Sequence, residues 1–103
     1  MNLSGLTVRQ KQRRPARDPE RLAKIKQLPC VICGAAPPSD AHHCIHDRFG
    51  QRKAPDRETI PLCKSCHQWG PGAIHADKRA WRERHGPDHG YLAMVDDMLG
   101  EWF

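Results

Sequence analysis

Asp40-Ala41-His42-His43-Cys44 is the stretch on which the reading of this chain turns. It stands between two cysteine pairs, Cys30-Val31-Ile32-Cys33 ahead of it and Cys63-Lys64-Ser65-Cys66-His67 behind it. A C-x-x-C pair presents two thiolates from one tight turn, and two such pairs complete the tetrahedral shell that zinc prefers. Cys30, Cys33, Cys63 and Cys66 are therefore the expected ligands of a structural Zn2+. Four thiolates leave no open position for water or substrate, so the expected role of this site is to hold the fold. The 29 residues between Cys33 and Cys63 are more than a short zinc ribbon needs, and the double histidine lies in that insert. Cys44, the fifth cysteine, reads as a free thiol beside the site or as a further ligand.

The histidines call for a second account. Consecutive residues of a strand point to opposite faces, so His42 and His43 should diverge, one toward a metal and the other toward substrate or solvent. His67 directly follows Cys66 and is placed by the zinc turn. His75 comes eight residues later; on one straight helix that is about 12 Å away, too far to share an ion. Gly70-Pro71-Gly72 breaks the helix between them and lets the chain double back. A lone histidine is usually a structural hydrogen-bonding group, but four beside a zinc knuckle point to a second, functional site.

Composition narrows the class. The 103 residues have room for one domain, and with mean hydropathy −0.78 the core must be small. Nine prolines and eight glycines argue against long regular elements. An odd number of cysteines in x-x spacing suits zinc better than disulfides, which implies a reducing, cytoplasmic setting. No run approaches a transmembrane span, so a soluble protein with no membrane partner is expected. Of the 17 Lys and Arg, eight lie in residues 1–29 against two acids. Arg9, Lys11, Arg13, Arg14 and Arg17 make residues 1–17 a basic arm expected to be disordered. Such an arm is either a nucleic-acid contact or a solvated tail.

Residues 18–103 are expected to form a single domain. Asp18-Pro19-Glu20 opens a helix whose stripe is Leu22, Ile25 and Leu28, stopped by Pro29. Arg21, Lys24 and Lys26 fall mostly off that stripe and should extend the basic surface. Short strands are expected over Ala41–Ile45 and Thr59–Leu62, with an irregular charged loop over 46–57 between them. Helices are expected to start at 63–69, to cover 77–84 and to cover 90–102. The last of these packs through Leu92, Val95, Met98, Leu99 and Trp102. Trp69, Trp81 and Trp102 read as core residues rather than base-stacking platforms.

C-x-x-C, then Asp-Ala-His-His, then Pro-Leu-Cys-x-x-Cys-His together resemble the HNH, or ββα-metal, endonucleases. The run Ile74-His75-Ala76-Asp77-Lys78-Arg79-Ala80-Trp81, followed by Arg84-His85-Gly86, is similar to the phage recombination-enhancement branch of that superfamily. The resemblance covers about residues 28–99. It implies a small α+β fold, a zinc-stapled, treble-clef-like ββα-metal domain with flanking helices. It implies a DNA endonuclease of little sequence specificity, bacterial or phage-encoded, with a possible recombination protein as partner. By position, His43 takes the role of general base, with His46 or His42 next in line. His42, His67 and His75 become ligands of a catalytic divalent cation, Mg2+, Mn2+, Zn2+ or Ni2+. The central Asn of the motif is missing, since the only one is Asn2. Glu58, Thr59 or a backbone carbonyl would then orient the base.

Two other readings use the same residues. One is a non-catalytic zinc module that holds DNA or protein, its histidines structural or closing a second zinc site. The other is an antitoxin or adaptor on a degenerate nuclease fold.

Overall fold

A computed structural model describes residues 15–49 and 53–103. Arg9, Lys11, Arg13 and Arg14, most of the expected basic arm, lie outside the described residues, as do residues 50–52 of the charged loop. Among the described residues, no helix is long and apolar enough to cross a membrane.

Helix α1 runs Pro19–Ile25, with the Asp18 carboxylate accepting from the Arg21 amide at 3.0 Å and proline in the first turn. It ends at Ile25, with Lys26 as C-cap, earlier than its stripe suggests. Leu28 is nonetheless fully buried, carried into the core by the turn that follows. Strand β1 is Asp40–His43 and strand β2 is Thr59–Leu62, paired antiparallel with His42 opposite Ile60 and His43 opposite Thr59. β1 therefore stops short of Ile45, although the Cys44 amide still reaches the Glu58 carbonyl at 3.0 Å. β2 is buried along its whole length. Pro61 sits in it without loss because, among the described residues, the sheet has two strands and both are edges.

The helix expected from residue 63 is a single wide turn, Ser65–Trp69, closed by the Gly70 amide on the Ser65 carbonyl at 3.3 Å. Helix α2, Lys78–His85, is capped by Asp77 accepting from the Ala80 amide at 3.0 Å. A 3-10 turn, Asp88–Tyr91, leads into helix α3, Leu92–Trp102. These elements form a small α+β domain around Ile25, Leu28, Ile60, Leu62, Ile74, Trp81 and Val95.

Two expectations fail here. Trp81 is in the core, but Trp69 is 74% and Trp102 54% exposed. Trp69 lies on the outer side of the wide turn, and Trp102 ends the chain's last helix, past the part that packs through Val95. Arg21 is the second correction, since it is not part of an open basic surface. Its guanidinium donates to the Thr59 hydroxyl at 3.1 Å and carbonyl at 2.9 Å, and it pairs with Asp96 at 2.8 Å, clamping α1 to β2 and α3.

Candidate metal centre

Two groups of metal-ligating side chains come together. Cys30 and Cys33 flank a tight turn in which the Gly34 amide returns to the Cys30 carbonyl, with Gly34 at φ +76. The Val31 amide bonds to the Pro61 carbonyl at 3.0 Å, which ties this turn to the strand that leads into Cys63 and Cys66. All four sulfurs lie within 4.8 Å of one another. Zinc at about 2.3 Å from each sulfur of a tetrahedron implies S···S near 3.8 Å. Cys33 and Cys63 are 3.6 Å apart, so the four cysteines could hold a structural zinc. The Cys30 thiol is lowered to about 7: burial opposes the change, and backbone hydrogen bonds from Cys33, Cys63 and Ile32 outweigh it.

Cys44 takes no part in this group. It is buried, and burial first, then the charges of Asp88 and Glu58, push its thiol well up.

The second group is His42, His67 and His75, with one ring nitrogen of each inside the same 4.8 Å limit. Three devices bring them together. β1 turns Asp40 and His42 to one face and His43 to the other, as period two requires. The wide turn sets His67 beside β1, where its Nδ1 hydrogen-bonds Asp40 at 2.8 Å. After Gly70 the chain folds back, and the Ile74 and His75 amides reach the carbonyls of Cys66 at 2.8 Å and His67 at 3.1 Å. Gly70 is required in that reversal, since a Cβ there would stand 2.8 Å from the Ser65 carbonyl oxygen.

The outer hydrogen bonds define the ligand atoms. His42 Nε2 is 2.9 Å from Asp88 Oδ2, so its Nδ1 faces the cluster. With His67 Nδ1 on Asp40, its Nε2 faces inward, 3.1 Å from His75 Nε2. Nitrogens about 2.0–2.1 Å from one tetrahedral ion would be near 3.3 Å apart. Imidazole backed by carboxylate is the usual second layer of a metal site. The donor set thus fits a divalent cation of borderline softness. Burial, only partly offset by Asp88, lowers the His42 pKa, and burial offset by Asp40 lowers that of His67. Burial and its neighbour His67 lower His75. All three are then neutral near pH 7, the form that ligates. His42 and His67 are buried while His75 is exposed, so the centre opens to solvent on the His75 side.

His43 lies on the opposite face of β1, with Nε2 2.8 Å from Asp56 Oδ1. Asp56 also accepts from the Asp18 amide at 2.7 Å, so α1 helps to place it. The carboxylate partner is thus Asp56, not Glu58, Thr59 or a backbone carbonyl. Arg17 is exposed and lines, with Lys53 and His43, a cavity of about 430 Å3. His46 is committed elsewhere: its Nδ1 accepts from the Asp88 amide at 2.9 Å and its Nε2 donates to the Lys78 carbonyl at 2.9 Å.

Asp88 is the residue that sequence reasoning missed. It is fully buried and accepts from His42, from the Ile45 amide at 2.7 Å and from the His46 amide at 3.2 Å. Burial alone would raise its pKa, but these hydrogen bonds prevail and hold it at about 2. In the sequence it sits in Gly86-Pro87-Asp88-His89-Gly90, where an Asp reads as a turn residue. The nearest sequence signal for Asp56 was the gap left by the missing Asn.

No curated protein and no solved structure matches the chain. Residues 7–99 match the family described as "Protein of unknown function (DUF968)". That span holds both cysteine pairs, all three clustered histidines, His43 and Asp88, and the chain belongs to that family.

Proposed function

We propose that this protein is a metal-dependent DNA endonuclease with a ββα-metal fold. In this reading Cys30, Cys33, Cys63 and Cys66 hold a structural zinc, and His42, His67 and His75 hold a catalytic divalent cation. One observation carries the reading: adjacent histidines of one strand serve opposite faces, His42 in an open three-histidine cluster and His43 against a carboxylate at a cavity wall. A purely structural second site would be closed by a fourth protein ligand. Among the described residues the set stops at three, which favours catalysis over a binding module.

The chain's own groups supply the acid–base chemistry. Asp56 accepts the Nε2 proton of His43, which leaves Nδ1 unprotonated and able to take a proton from water. A cation held by the three imidazoles would supply Lewis-acid stabilisation of the charge that develops on the phosphate. In-line displacement needs the attacking water and the leaving oxygen on opposite sides of phosphorus. A phosphodiester lying across the end of β1 would have His43 on one side and the three-histidine face on the other. DNA as substrate, a phage or bacterial source and a recombination partner are supported by the motif resemblance.

The test is single-turnover cleavage of labelled DNA in Mg2+ and in Mn2+. His43→Ala should retain zinc and fold yet cut about 10²–10⁴-fold more slowly. Wild-type protein that still cuts in excess EDTA, or that no divalent cation enables to cut, would sink the reading.

A further inference from the structure

Two cavities are lined by His43, and a third adjoins the second of them. The one of about 430 Å3 lies between the segment before α1 and the loop before β2. A second, of about 230 Å3, shares His43, Lys53 and Ala54 with it and extends to Arg48 and Lys78. The third, of about 240 Å3, shares Ile45, Arg48 and Lys78 with the second and runs on to Arg79, Arg82 and Phe49. Shared lining residues set the three in a row as a groove, with His43 in the walls of the first two and none of the candidate metal ligands in the lining.

The groove is cationic. Arg17, Lys53, Arg48, Lys78, Arg79 and Arg82 line it, against the acids Asp56 and Asp47. Asp56 is engaged by His43, Asp47 by Arg82 at 2.8 Å and His89 at 2.7 Å, and Arg48 is itself paired with Glu58 at 3.2 Å. Among the described residues Lys78 and Arg79 have no ion-pair partner, so their charge faces the groove uncompensated. At its far end Phe49 is 80% exposed. A largely exposed phenyl ring beside cations has the make-up of a platform on which an unpaired base stacks while the backbone tracks the positive groove. Bases within a duplex are already covered on both faces by their neighbours and offer no such surface.

We propose that this groove binds a single, unpaired DNA strand, with phosphates on Lys53, Lys78 and Arg79, a base on Phe49, and the strand passing His43. The identity of the reaction at His43 rests on the nuclease reading; the strand preference does not.

The test uses the full chain in a His43→Ala background, zinc retained and no other divalent ion added, so that the probe stays intact. The probe is a fluorescein-labelled DNA of mixed sequence, about 15 nucleotides long, alone and annealed to its complement. Anisotropy should show the single strand bound about tenfold more tightly than the duplex. Phe49→Ala should cost about tenfold on the single strand and leave the duplex unchanged. Arg79→Ala should lower the slope of log affinity against log salt by about 0.7 on the single strand. A duplex bound as well as the single strand overturns the proposal, and so does a Phe49→Ala protein with undiminished single-strand affinity. Wild-type cleavage separates the two readings. This binding pattern in a protein that never cuts keeps the groove and removes the nuclease, while cutting by a protein indifferent to Phe49→Ala does the reverse.

Discussion

Asp88 holds a negative charge where no water reaches it, and it does so because three N–H groups converge on its two oxygens. An Asn there presents one acceptor oxygen and an NH2 group that must face at least one of those donors. Asp88→Asn is therefore expected to cost about 3 kcal/mol, as when one partner of a buried pair is removed. It should also weaken metal binding at the three histidines by about 10–100-fold, since the orientation of His42 is lost. Urea unfolding and Co2+ titration would measure both, and wild-type values in both would refute the role. The sign of the pH dependence follows from the shifts. Asp88 is depressed to about 2, so its contribution is present above the unfolded carboxyl value near 4 and lost as pH falls toward 2. His42, His67 and His75 are depressed too, so below about pH 6.5 the unfolded chain takes up protons that the native state refuses. Melting temperature should fall as pH drops from there; Asp88→Asn should flatten the portion below about pH 4 and, with the support of His42 gone, steepen the portion above it.

At the scale of elements, the site depends on one strand and one reversal. β1 delivers Asp40 and His42 to the cluster and His43 to the groove, and a slip of one residue would exchange those faces. The wide turn Ser65–Trp69 with its Gly70 exit swings His75 back onto His67. Gly70→Ala must push the chain off the Ser65 carbonyl or open the turn. We expect a loss of about 1–3 kcal/mol, the usual cost of an over-packed methyl, together with weaker Co2+ binding at the histidines. Zinc retention should suffer less than Co2+ binding, because Cys30, Cys33 and Cys63 lie outside the wide turn and only Cys66 lies within it. Zinc content and the Co2+ titration read the two separately, and an unaltered titration would show that the reversal tolerates a side chain.

On the scale of the whole molecule, a core of so few fully buried apolar residues leaves much for a metal to do. Structural zinc contributes about 10–16 kcal/mol of binding energy that is also folding energy. A domain of this size is stable by about 5–15 kcal/mol in all. Cys33→Ser should accordingly lose zinc and with it the cooperative melt and the near-ultraviolet circular dichroism. A zinc-free Cys33→Ser protein with native dichroism would show that the core suffices. Arg21 acts at this scale too, joining the first helix, the second strand and the last helix through one guanidinium.

The cysteine and histidine clusters were legible in the sequence because ligand spacing is a local matter. C-x-x-C follows from the reach of one turn, the divergence of His42 and His43 from strand period, and the reversal before His75 from Gly70-Pro71-Gly72. A capping signal likewise placed the start of α1, at Asp18. What only the tertiary structure decided is which carboxylate each histidine meets. Asp88 lies 46 residues from His42, and Asp56 lies 13 from His43. No periodicity links such pairs, since they meet only when the turn after Gly86 and the loop before β2 pack against β1. The same holds for the tryptophans and for Arg21. Trp69 and Trp102 have core-forming side chains, and Arg21 a surface-seeking one, yet their depth was set by how few elements this small fold has to cover them.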